Sequence, residues 1–88
     1  MRIKVFVWDR NNLDHIVRHG VQKEEVDEVA EGRHEIRTVW KGRYAMRGQT
    51  YSGRYLFIIL DSLGQGRAYP VTAREMTEEE KSRYKRSL

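Results

Sequence analysis

"RYLFIILDSLGQGRAYPVTA", residues 54–73, decides the fold class. Residues 54–61 are the most apolar run in the chain. The run is short and rich in aromatic and β-branched side chains, which predicts a central β-strand. "SLGQG" at 62–66 predicts a turn, and residues 67–73 read as a last strand. Pro70 has no N–H to give to a ladder, so that strand is an edge or carries a bulge there.

The same rhythm runs upstream. "RHEIRTVW" (33–40) alternates, with Ile36, Thr38 and Trp40 on one side, and "KGR" (41–43) is a turn. "YAMRGQT" (44–50) is another strand, interrupted by Gly48, and "YSG" (51–53) turns again. Short strands between glycine turns predict an antiparallel meander. The N-terminal third has a different period. "IKVFVW" (3–8) reads as a first strand. Asp9 then caps a short helix over 10–19, with Leu13, Ile16 and Val17 on one face and Gly20 as a left-handed stop. Residues 21–32 give a second helix. Val26, Val29 and Ala30 share a face, acids in its first turn suit the helix dipole, and Gly32 ends it. Thr77 and Glu80 form a capping box for a final helix that is polar nearly all round. Only Tyr84 and Leu88 align on it, which predicts a helix on the surface or one awaiting a partner. The expected fold is one α+β domain over 1–88. In it, two N-terminal helices pack on an antiparallel meander that a short C-terminal helix follows.

Composition narrows the function classes. A chain of 88 residues has room for one thin core. A charged fraction of 34% beside 39% hydrophobic residues excludes both a disordered tail and a membrane span. No run approaches the ~18 apolar residues that a bilayer requires, and "MRIKVFVWD" is too quickly interrupted by charge to be a signal peptide. A cytoplasmic location is therefore expected. With no cysteine, disulfides and thiolate metal sites are excluded.

The net charge of +4 is unevenly spread. Glu24, Glu25, Asp27, Glu28 and Glu31 face a single Lys23, whereas Arg33, Arg37, Lys41, Arg43, Arg47 and Arg54 face a single Glu35. Basic charge interleaved with Trp40, Tyr44, Tyr51 and Tyr55 suits a polyanion with stackable bases. The expected RNA-binding set is Arg37, Lys41, Arg43, Arg47, Trp40 and Tyr44. The plainer alternative is a set of solvated strand faces.

"FVWDRNNLDHIVRHGVQKEEVDEV" resembles the opening of the BrnT toxins, where a Trp-Asp pair precedes a short helix ending in His-Gly and an acidic second helix follows. The second half is similar to theirs in the order of Gly53, Arg54, Thr72, Ala73, Arg74, Glu80 and Tyr84. This resemblance covers residues 6–84. It implies the RelE-like class of type II toxins: small ribonucleases with a sheet backed by two helices, cutting RNA on the exposed sheet face and neutralised by a DNA-binding antitoxin. The implied partners are RNA, a ribbon-helix-helix (BrnA-like) antitoxin, and operator DNA reached through that antitoxin. Where family members often carry a second arginine, five residues before Arg74, this chain has Tyr69. Arg67, on the same strand face, is the substitute.

Cleavage of that kind uses the substrate's 2′-hydroxyl as nucleophile and requires no cofactor. It needs a base, cations for the crowded phosphorane and an acid for the leaving oxygen. Arg74, Arg54 and Arg67 are the candidate cations because a planar guanidinium matches phosphate oxygens. For Arg74 and Arg54 the alternative is an ion pair with Asp61 or Glu75, and for Arg74 also a structural clamp tying the last strand to the acids Glu78 to Glu80. His19 is the candidate acid or base, or else a helix C-cap. Tyr69 supplies a phenolic proton, stacks on a base, or packs in the core. His34 could face RNA, Glu35 could act as a base, and His15 reads as plain surface. No dense cluster of carboxylates or histidines has metal-ligand spacing. Arg74→Ala is expected to remove activity and leave the melting midpoint nearly unchanged. The two alternatives in function are a catalytically weak relative that represses transcription with its antitoxin, and a plain RNA-binding module.

Overall fold

The run at 54–61 is apolar nearly throughout in sequence, yet it alternates in burial. Leu56, Ile58 and Leu60 are wholly buried, while Tyr55, Phe57 and Ile59 between them are half-buried. A computed structural model describes residues 1–88. Its elements are β1 (Val5–Phe6), α1 (Arg10–Arg18), α2 (Lys23–Glu31), β2 (His34–Trp40), β3 (Arg43–Gln49), β4 (Tyr55–Gly64), β5 (Arg67–Glu75) and α3 (Glu78–Ser87). The strands form one sheet in the order β1-β5-β4-β3-β2. β2 to β5 are the expected antiparallel meander. The expectation of a purely antiparallel sheet is corrected by β1, which pairs parallel to β5 through Val5↔Arg67 and Phe6↔Ala68 and makes the sheet mixed and five-stranded. Its two residues take the free edge of β5, and nothing in the local sequence sets their direction.

The two N-terminal helices cover one face. Ile16 of α1, Val21, and Val26 and Val29 of α2 pack on Met46, Leu56, Ile58, Leu60, Ala68 and Ala73. Gly48 marks the closest approach of helix to sheet. A Cβ built there would lie 2.9 Å from Val29 Cγ1 and 3.1 Å from Arg33 O. Gly48→Ala is therefore expected to destabilise by about 1–3 kcal/mol through overpacking, read as a lower thermal midpoint. An unchanged midpoint would mean that α2 can slide along the sheet.

Turns and caps follow local chemistry. Asp9 Oδ1 accepts the Asn12 N–H at 2.9 Å and Asn12 Oδ1 accepts the Asp9 N–H at 2.8 Å, so the cap is reciprocal. Gly20 takes the left-handed conformation (φ 77°) after α1. β4 runs three residues beyond the predicted boundary at Asp61, because a register shift near Ser62 carries the ladder to Gly64↔Arg67. Gln65 and Gly66, both at positive φ, close that hairpin with two residues. Pro70 sits at a bulge: Ile59↔Thr72 is followed by Leu60↔Pro70, leaving Val71 unopposed.

α3 is docked rather than free. Thr77 and Glu80 cap it as expected. Its Tyr84 is only 2% exposed, meets Tyr55 edge-on at 6.1 Å, and donates its hydroxyl proton to Arg33 O at 3.3 Å. Arg47 lies 5.8 Å over the same ring, and Lys81 and Lys85 lie over Tyr55. Glu80 holds Arg74. α3 thus crosses the sheet's second face from β5 to β2. Leu88, aligned with Tyr84 in the sequence, is exposed. No helix is long and apolar enough to cross a membrane.

Candidate nucleic-acid interface

Residues directly opposed in a sheet share a face, so the register lays out the surface that α1 and α2 leave uncovered. One row across it is Trp40–Arg43–Asp61–Tyr69, the next Arg37–Ala45–Ile59–Thr72, and the third Glu35–Arg47–Phe57–Arg74. Tyr84 and α3 cover the far end. Successive rows lie roughly 7 Å apart, the rise of two strand residues. Ala45 and Ile59 make an apolar floor, with charge before and behind.

α1 closes the β5 side of this face. β1 occupies the β5 edge only as far as Ala68, and α1 takes over beyond it. From α1, His15 Nε2 reaches to 3.0 Å from Thr72 Oγ1, and the His15 and His19 rings meet at 5.0 Å between centroids. From the N-cap, Asp9 accepts the Tyr69 hydroxyl proton, with both carboxylate oxygens at 3.0 Å. Burial pushes the Tyr69 phenol up from its ordinary value and the hydrogen bond to Asp9 adds to the shift, so the phenol keeps its proton near neutrality. His15, His19, Tyr69, Thr72 and Arg74 therefore line one seam. His15 reads as plain surface in the sequence, because its partner Thr72 lies 57 positions away and no local pattern joins them.

Several candidates fall elsewhere. Arg54 continues the alternation of Leu56 and Ile58, so it projects on the helix side of the sheet. There Glu25 of α2 holds it at 2.8 and 2.7 Å, and Glu75 lies at 3.4 Å. It clamps α2 to β4 and does not meet Arg74. Tyr44 opposes Leu60 and Thr38 on that same helix side, away from Arg43. His34 also opposes Gly48 there, bonded to Gly32 O at 2.9 Å. Arg67 reaches Leu63 O at 3.1 Å across the hairpin and keeps the face of Tyr69. Trp40 is 75% exposed, and Lys41 is exposed in the turn beside it. No three His, Cys, Asp or Glu side chains gather round one point.

Most of the cations on the face have carboxylate partners. Arg43 makes a two-pronged pair with Asp61 at 2.7 and 2.9 Å, and its hydrogen bond holds that carboxyl below its ordinary value. Arg47 donates from two nitrogens to one oxygen of Glu35, and the hydrogen bond lowers the Glu35 carboxyl. Arg37 remains mostly exposed, 3.5 Å from Glu35. Arg74 grips Glu80 at 2.7 and 2.9 Å and lies 4.6 Å over Phe57. That hydrogen bond, with the Thr77 N–H, brings the Glu80 carboxyl down to about 2.

A depressed carboxyl adds stability that is present above its unfolded value near 4.5 and lost as pH falls toward about 2. Discounted for solvent at the partly exposed Arg74, the contribution is about 1–2 kcal/mol. Glu80→Gln is expected to melt lower than the parent at pH 7, with the two converging as pH falls from 4.5 to 2 in parallel melts. A gap that stays constant to pH 2 would refute the linkage.

In comparisons with known proteins, no family model and no curated protein matches the chain.

Proposed function

We propose that the chain is a metal-independent endoribonuclease, the toxin of a type II toxin–antitoxin pair. The observation that carries this reading is the seam of His15, His19, Tyr69, Thr72 and Arg74, beside an open face that bears Arg37, Lys41 and a bare Trp40. An open face fits a polymer. In the reading, Arg74 binds the scissile phosphate and Trp40 stacks a base. His15, oriented by Thr72, accepts the 2′-hydroxyl proton as O2′ attacks phosphorus. The P–O5′ bond then breaks, Tyr69 gives its proton to O5′, and the products are a 2′,3′-cyclic phosphate and a 5′-hydroxyl. The RelE-like assignment, the cytoplasmic setting, and a ribbon-helix-helix antitoxin with its operator DNA belong to the same proposal and rest on the resemblance.

A second reading is favoured by the carboxylates on Arg43, Arg47 and Arg74: a catalytically weak relative that represses transcription with its antitoxin. Labelled RNA incubated with the purified protein in EDTA separates the two. Cyclic-phosphate ends that vanish in His15→Ala support the enzyme, and RNA bound but uncut supports the alternative. Binding itself is expected to lose salt sensitivity in the Arg37→Gln, Lys41→Gln double variant, by roughly one unit of slope per phosphate contact removed. An unchanged slope would move the RNA off this face.

A further inference from the structure

We propose that His15 and His19 form a two-histidine clip for a divalent transition-metal ion of the zinc class. His15 on α1 and His19 at its C-cap are four residues apart, which puts them on one side of the helix end. Their ring centroids are 5.0 Å apart with planes at 61°. Two imidazoles that each bind one ion at ~2.0–2.1 Å in tetrahedral geometry also place their rings roughly 5 Å apart, so the ring separation already matches and rotation about the side-chain torsions turns the nitrogens onto one ion.

Thr72 supplies the outer support that metal-binding histidines use. With Nε2 of His15 held 3.0 Å from Thr72 Oγ1, Nδ1 is the ring nitrogen left for the ion. The clip also sits where α1 ends, with His19 as the C-cap. The carbonyl end of a helix favours positive charge. Imidazole nitrogens select zinc, nickel and copper over magnesium, which prefers oxygen ligands. Two protein ligands leave the other positions to solvent. The ion therefore exchanges readily and is not a permanent structural centre. If the ribonuclease reading holds, an ion on Nδ1 of His15 blocks the proton transfer on which it depends, and the clip acts as an inhibitory switch on that site.

Titration of the purified chain with Zn²⁺, followed by calorimetry and by the histidine ring resonances, tests the clip without reference to RNA. One ion per chain is expected, shifting the His15 and His19 resonances and not that of His34, with no competition from Mg²⁺. His15→Ala and His19→Ala should each weaken binding at least tenfold, His34→Ala should leave it unchanged, and Thr72→Val should weaken it roughly tenfold. Unchanged affinity in either of the first two variants, or half an ion per chain, would overturn the clip. Cleavage measured with and without saturating Zn²⁺ is a separate arm: undiminished cleavage overturns the switch. A chain that binds zinc but never cuts RNA supports the clip and removes the ribonuclease reading.

Discussion

On the ribonuclease reading, Arg74→Ala is expected to lower RNA cleavage by a hundredfold or more and, on any reading, to lower the melting midpoint. The first effect is the loss of a preorganised cation at a developing phosphorane, where removing one donor typically costs 10²–10³ in rate. The second departs from the sequence-based expectation of an unchanged midpoint. Arg74 donates to both oxygens of Glu80 and to Glu75 O at 3.0 Å, and it lies against Phe57. It therefore ties β5 to α3. Removing it leaves Glu80 with its cap alone, a loss of about 1–2 kcal/mol for a partly exposed pair. Glu80→Gln separates the two roles. It also loses the ion pair, yet frees the guanidinium, so its melting should fall while RNA affinity rises. Arg74→Lys should recover little activity, because a point charge cannot hold two phosphate oxygens in one plane. If Arg74→Ala reduces cleavage only in proportion to the protein left unfolded, the residue is a clamp and nothing more.

Tyr84→Ala is expected to undock α3 from the sheet. The helix is polar nearly all round, and Tyr84 is its only buried side chain. Truncating a buried aromatic costs about 3–5 kcal/mol where the rest of the structure must tolerate the cavity. Here the helix can let go instead, since a ten-residue helix in water gains little from propensity alone. Local opening is therefore the cheaper outcome. Amide exchange should become fast across 78–87 while β3, β4 and β5 stay protected. Far-UV dichroism should lose the helix, and Tyr55 and Arg47 should become accessible. A global fall in protection would show that α3 is part of the core.

Most of the fold was legible because its signals are local. The apolar run of β4, the Asp9 and Thr77 caps, the stop at Gly20 and the bulge at Pro70 each lie within a few residues of their cause. The parallel partner of β1 was not legible, since a two-residue strand carries no register of its own. The path of α3 was hidden for a similar reason: a single tyrosine in a polar helix names no acceptor surface. Of the candidate seam, Arg74, Tyr69 and His19 carry sequence signals through residue type and resemblance. His15 was missed because its partner is distant. Arg54 was misplaced although the signal was available: it is in phase with Leu56 and Ile58, which already point toward the helices.

The pairing of β1 with β5 also sets a clock on synthesis. Val5 emerges from the ribosome roughly sixty residues before Arg67, its partner. At translation rates of about 5–20 residues per second, β1 waits roughly 3–12 s with no strand to join. His15 leaves early and Thr72 and Arg74 almost last, so the seam cannot form on a partial chain. If the ribonuclease reading holds, a nascent chain cannot cut RNA until its final strand is out.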